Sequence, residues 1–220
     1  MPPPILFIQG PWLPGDCWAG WRARYVSAGK TCLEPLTLAP GDTAAPYLGS
    51  LIDAYAARIA GLAEGPVLIG HSFGGLIVQS LLDRGLGKAG ISLAGWSPRA
   101  RKRIPGTAAL RAALRLLVST PADLPLQNLP GLLPEALFSR HTAIRPANDR
   151  RPPLLLIAGS QDRVVTPDMV QQNHQLQLRG RSETSFRNFS GRGHLLVTEP
   201  GWPDIADYCL AWADTRTLEP

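Results

Sequence analysis

Val67-Leu68-Ile69-Gly70-His71-Ser72-Phe73-Gly74-Gly75 is the stretch that decides how this chain reads. Three apolar residues run into a glycine, and residues 73–84 continue with helical spacing, so the segment reads strand, tight turn, helix. So tight a turn brings the flanking backbones together, which calls for small residues at Gly70 and Gly74. The residue between them is forced into a strained conformation that projects its side chain outward. A serine there carries its hydroxyl above the end of a sheet. It also stands at a helix N-terminus, where the dipole favours a developing negative charge. The plain alternative is a tight turn holding an inert serine; the strand before it and the helix after it favour the chemical reading.

The rest of the chain alternates in the same way. Residues 4–9 form a short apolar run that stops at Gly10. Residues 16–28 carry Trp18, Trp21, Tyr25 and Val26 at helical spacing, with Asp16 as N-cap and Gly29 as stop. Residues 31–38 read as a strand interrupted by Pro35, and 46–63 as an Ala- and Leu-rich helix. Further strands are expected at 90–94, 154–158 and 183–189, with helices at 167–178 and 203–213. Between about 97 and 151 the alternation breaks, with seven prolines from Pro98 to Pro146 and an apolar helical segment at 107–118. This stretch reads as a short inserted lid. Strands alternating with helices predict an α/β class: a mostly parallel twisted sheet with helices on both faces, active at the carboxyl ends of its strands.

Composition sets bounds. The 220 residues suffice for one domain with a sizeable core, here 1–220 with the lid at about 97–151. The net charge of +5 comes from 22 basic and 17 acidic residues, and the densest basic run is Arg99, Arg101, Lys102 and Arg103. That run reads as a solvated surface, and no nucleic-acid motif accompanies it. Cys17, Cys32 and Cys209 are odd in number and lack metal-site spacing, which argues for thiols in a reducing compartment and against zinc. No apolar run is long enough to span a membrane, and the N-terminus lacks the features of a signal peptide. The expectation is a cytoplasmic protein without metal or cofactor. Whether it is a monomer or a homodimer is left open.

On the Gly70–Gly75 turn and the segments 66–95 and 154–197, the chain resembles the α/β-hydrolase superfamily, in its small bacterial esterase/lipase-like branch. It begins at what corresponds to that fold's third strand. The resemblance implies a triad in the chain order Ser, acid, His. The turn Gly159-Ser160-Gln161-Asp162 places Asp162 at the acid position, and Gly191-Arg192-Gly193-His194 places His194 at the base. Asp162 also has the makings of an Asx turn, and Asp168 is a fallback acid whose place at a helix start accounts for it. The residue types suit the chemistry. A serine hydroxyl is a weak nucleophile until a histidine takes its proton, and a carboxylate fixes the tautomer of that histidine. His71 belongs to the turn and is expected to pack or to donate a structural hydrogen bond.

The resemblance supplies the backbone amide of Phe73 as one oxyanion donor. The second normally follows a His-Gly pair, but this chain has Gln9-Gly10-Pro11-Trp12, and proline has no N–H. Trp12, after a one-residue shift, is the candidate, with the Gln9 side chain as an accessory. Trp12, Trp96, Leu110, Leu114 and Leu117 are candidates to line an apolar pocket, although the leucine spacing equally suits a packed lid helix. The expected activity is hydrolysis of a small carboxylic ester, or a related acyl group on a hydrophobic substrate, through an acyl-enzyme. Lyase, C–C hydrolase or cyclase chemistry on the same triad is the first alternative. A non-catalytic ligand-binding homologue is the second.

Overall fold

The computed structural model describes residues 2–10, 16–36, 47–98 and 142–217. Six strands form one sheet: β1 (Ile5–Ile8), β2 (Cys32–Leu33), β3 (Val67–His71), β4 (Ala89–Leu93), β5 (Leu154–Gly159) and β6 (Thr184–Phe189). Their order across the sheet is β2-β1-β3-β4-β5-β6, and all five pairings are parallel. β1, β3, β4 and β5 are buried along their whole length, which is why they read as unbroken apolar runs rather than alternating ones. β6 lies at the sheet's edge and mixes exposed and half-buried residues.

Among the described residues five helices cover the sheet: α1 (Ala19–Ser27), α2 (Tyr47–Ala60), α3 (Phe73–Asp83), α4 (Pro167–Gln177) and α5 (Trp202–Thr217). The two-residue period of the strands sorts their side chains into two cores. Leu6, Ile8, Leu68, Leu154 and Leu156 pack with α2, α3 and α4. Ile5, Phe7, Val67, Ile69 and Ile157 pack under α1 and α5, where Trp18, Trp21 and Tyr25 meet Ile205, Cys209 and Trp212. The sheet is thus covered on both faces, as the alternation predicts.

Two local expectations change. α1 starts at Ala19 and not at Asp16; its N-cap is Trp18, which makes no side-chain cap. The Asp16 carboxylate instead accepts from the Trp18 amide at 3.1 Å and from Arg22 at 2.8 Å, closing a turn just ahead of the helix. The second strand shrinks to Cys32–Leu33. Beyond it the Leu36 amide donates at 3.2 Å to the Tyr55 hydroxyl, which also takes the Gln9 amide at 3.0 Å. Of the expected lid, residues 99–141 lie outside the described residues, including the helical segment at 107–118. Where the chain re-enters, Arg145 and Asn148 fasten on Asp83 at the end of α3, with bonds of 2.6–3.2 Å to its carbonyl and carboxylate.

The strand order reverses at β1, whose neighbours β2 and β3 follow it on opposite sides. In an open parallel sheet that switch opens a crevice at the strands' carboxyl ends. Around that end of β1 the start of α3 packs too closely to admit a methyl group. A Cβ on Gly74 would lie 2.4 Å from the Ile8 carbonyl oxygen, and one on Gly70 would lie 2.3 Å from that of Gly74. Gly29 is glycine for a different reason: it follows α1 with φ +76° and nothing within 4 Å of a would-be Cβ. Gly74→Ala should therefore cost at least about 2 kcal/mol in denaturant unfolding, because backbone must move. Gly29→Ala should cost only about 1 kcal/mol, the penalty of a left-handed alanine. Equal costs would mean that the contact at Gly74 relaxes freely.

Candidate active site

The strand-to-helix turn leaves β3 through Ser72, whose backbone has φ 55° and ψ −114°. Neighbouring backbone holds this strained residue at both ends. Its amide donates to the Leu93 carbonyl at 2.9 Å, continuing the β3–β4 ladder. Its carbonyl accepts from the Leu76 and Trp96 amides, each at 3.3 Å. A second non-glycine residue of positive φ, Ala94 at 44°, lies just before Trp96, at the end of the adjacent strand. The bend there carries the Trp96 amide over the elbow.

Asp162 lies in the turn after β5, closed by its own amide donating to the Gly159 carbonyl at 3.0 Å. One carboxylate oxygen accepts from the Val164 and Val165 amides at 2.7 and 2.9 Å. The other faces Nδ1 of His194 at 2.8 Å. Asp162 is therefore an Asx-turn residue and a histidine partner at once, and the two amide bonds aim the second oxygen. Asp168 sits in the first turn of α4, behind the N-cap Thr166 and Pro167, as its helix-start reading requires.

His194 stands on the loop after β6, buried, with its Nε2 at 3.2 Å from the Ser72 Oγ. Because the carboxylate can only accept, Nδ1 carries the proton and Nε2 presents a lone pair to the serine. Glu199 folds back to accept the Gly193 amide at 2.9 Å, beside His194. Across the loop the Gln161 amide donates to the Arg192 carbonyl at 2.8 Å, tying the His194 loop to the Asp162 turn. Neither Glu199 nor this bond is announced by the sequence, because each depends on how two loops meet.

His71 lies directly before the serine. Its Nε2 is 2.6 Å from the His194 carbonyl oxygen and its ring centroid is 4.8 Å from that of His194. Complete burial, reinforced by the neighbouring imidazole, pushes its pKa down to about 3. The ring is thus neutral, and because a carbonyl cannot donate, its proton is on Nε2. Its Nδ1 is buried with no hydrogen-bond partner.

The other candidates are placed unevenly. Phe73 opens α3 immediately after Ser72 and stacks on Trp96, with centroids 5.5 Å apart. Trp96 is fully buried in the core beside it, so its ring packs the elbow from behind. Gly10 comes close to the elbow, where a Cβ would stand 3.1 Å from the Gly74 nitrogen. The Gln9 side-chain oxygen accepts from the Cys17 thiol at 3.4 Å, and burial pushes that thiol up to about 12. Pro11, Trp12, Leu110, Leu114 and Leu117 lie outside the described residues. Among the described residues no cluster of His, Cys, Asp and Glu could hold a metal ion.

With this geometry in place, solved structures give the fold its name. No known protein-family model matches the chain, and no curated protein matches it by sequence. An alpha/beta hydrolase from the metagenome of lagoon sediments at Mar Chica, Morocco, matches with a TM-score of 0.65 at 15% identity, over 99% of this chain and 93% of that one. The chain has the α/β-hydrolase fold. An N-acyl homoserine lactone degrading enzyme superposes with a TM-score of 0.73 at 16% identity, covering 96% of this chain and 93% of that one. A thioesterase of the prodiginine biosynthetic pathway of Streptomyces coelicolor gives 0.63 at 20% identity, covering 95% and 89%. Among the described residues of this α/β-hydrolase fold, no helix is long and apolar enough to cross a membrane.

The state of His71 has a measurable consequence. Its pKa is near 6.5 when unfolded and about 3 when folded. Between these values the unfolded chain takes up a proton that the folded chain refuses, so stability falls as pH falls through that window. The wild type should lose stability more steeply than His71→Gln between pH 6.5 and 4, by at most about 1.4 kcal/mol per pH unit. Parallel stability curves would show that His71 is not held neutral.

Proposed function

We propose that the chain is a serine hydrolase that cleaves a small carboxylic ester or related acyl substrate, with Ser72 as nucleophile, His194 as general base and Asp162 as its orienting acid. The observation that carries this reading is the continuous relay from the Ser72 hydroxyl to His194 at 3.2 Å and on to Asp162 at 2.8 Å. The Ser72 proton passes to Nε2 of His194 as Oγ attacks the acyl carbonyl carbon. The tetrahedral oxyanion collapses, the bond to the leaving alcohol breaks, and His194 returns the proton to that alcohol. Water then attacks the acyl-Ser72 ester with the same base. The Asp162 carboxylate stabilises the imidazolium formed in each half. The helix N-terminus after Ser72, where Phe73 lies, is the proposed site of oxyanion stabilisation, with Trp12 as the second donor.

The structural neighbours include a thioesterase and an N-acyl homoserine lactone degrading enzyme, which supports this reading. Pro11 favours a second one. A proline at the usual donor position removes an N–H worth about 2.7–4 kcal/mol of transition-state stabilisation where it is present. That would suit lyase, C–C hydrolase or cyclase chemistry by the same triad. We further propose a single domain with an inserted lid at about 97–151, acting in the cytoplasm on a small hydrophobic substrate. The three unpaired cysteines are in keeping with a reducing compartment.

Burst kinetics with short and medium p-nitrophenyl esters test the assignment. Wild-type protein should show a burst and be labelled by a fluorophosphonate. Ser72→Ala should lose both, with turnover down by at least about a thousandfold, and Asp162→Asn should lower kcat by about ten thousandfold. Turnover that survives in Ser72→Ala would overturn the acyl-enzyme reading.

A further inference from the structure

We infer that His71 is a positioning residue for His194: its Nε2–H holds the backbone carbonyl of the base, and so fixes the imidazole that spans Ser72 and Asp162. The inference rests on the triad reading above and adds to it a fourth residue that touches neither Ser72 Oγ nor substrate.

Three observations converge. The bond is short, 2.6 Å, and joins the nucleophile turn to the base loop across 123 residues of sequence. Among the described residues it is the hydrogen bond that joins the Ser72 turn to the backbone of the His194 loop; the loop's other bonds run to the Asp162 turn through Gln161 and Gly191, to Glu199 through Gly193 and to Trp21 through Val197. Without it, the 3.2 Å Ser72–His194 bond would be the hydrogen bond left between the two loops.

The second observation is what the site gives up for it. The His71 Nδ1 is buried without a hydrogen-bond partner among the described residues, and an unpaired buried acceptor is destabilising. Among the described residues the ring's hydrogen bond is thus the one to the His194 carbonyl.

Third, the ring is suited to its place by being uncharged. It lies 4.8 Å from the His194 ring, which becomes an imidazolium in each half of the proposed reaction. A permanently charged donor such as lysine would repel that cation, while a neutral imidazole donates to the carbonyl without doing so.

The test separates holding from filling. His71→Leu keeps the bulk and loses the donor. His71→Gln keeps an N–H at similar reach. His71→Asn keeps an amide too short to reach the carbonyl. With a p-nitrophenyl ester, His71→Leu and His71→Asn should lower kcat by about ten- to a hundredfold with KM within about twofold. His71→Gln should keep most of the activity. In proton NMR the far-downfield resonance of the His194–Asp162 hydrogen bond should broaden or vanish in the Leu and Asn variants and persist in Gln. If the Leu variant does not fold, the Gln and Asn pair carries the comparison. Equal activity in Gln and Asn, or full kcat in Leu, overturns the inference while an inactive Ser72→Ala leaves the triad reading standing. Turnover by Ser72→Ala overturns both.

Discussion

The structure depends on one steric constraint: the backbone after β3 has to pass within van der Waals contact of the end of β1. Gly70 and Gly74 face carbonyl oxygens at separations no side chain tolerates, and Gly75 meets the Ser92 hydroxyl in the same way. Packed so closely, the chain has one way out of the strand, and that way puts Ser72 at a positive φ. The strain is stored where it is useful. Its upkeep falls on ordinary backbone hydrogen bonds to Leu93, Leu76 and Trp96.

The same logic recurs at the other side of the site. A Cβ on Gly159, the last residue of β5, would collide with the Arg192 and Gly193 carbonyls at 2.5 and 2.7 Å. The Asp162 turn and the His194 loop are therefore pressed together before any side chain is considered. The Ser160 hydroxyl accepts the Gly191 amide at 2.8 Å and the Ser160 amide donates to the Phe189 carbonyl at 2.9 Å, locking the two loops in register. The hydrogen bond between Asp162 and His194 joins two loops already brought together in this way. Beneath the elbow, Gln79 binds the carbonyls of Gly75 and Trp96 at 3.1 Å and takes a bond from Asn173 of α4 at 2.8 Å. The helix that carries the serine and the helix that follows the acid are joined through one buried amide.

Much of this was legible in the sequence where local chemistry and pattern agree. The apolar runs of β3, β4 and β5 have no alternative reading once both faces are buried, and the glycines around Ser72 declare a tight turn. What stayed illegible depends on contacts between distant segments. Asp16 is a good cap by type, yet Arg22 and the Trp18 amide claim its carboxylate before the helix begins. Trp96 is a pocket candidate by type, and only the fold shows that its ring stacks on Phe73 in the core. His71 reads as a structural neighbour of the serine; only the fold shows that its bond lands on the carbonyl of the other histidine.

The Tyr55 hydroxyl has a wider bearing. It accepts the first amide past β1 and an amide past β2, the positions where two parallel strands would otherwise go on pairing with each other. A side chain from α2 thus acts as a spacer driven between two backbones. It ends the ladder early and pays the polar debt of doing so with one oxygen. The phenol oxygen thus stands between the carboxyl ends of β1 and β2, at the same end of the sheet where Ser72 leaves β3.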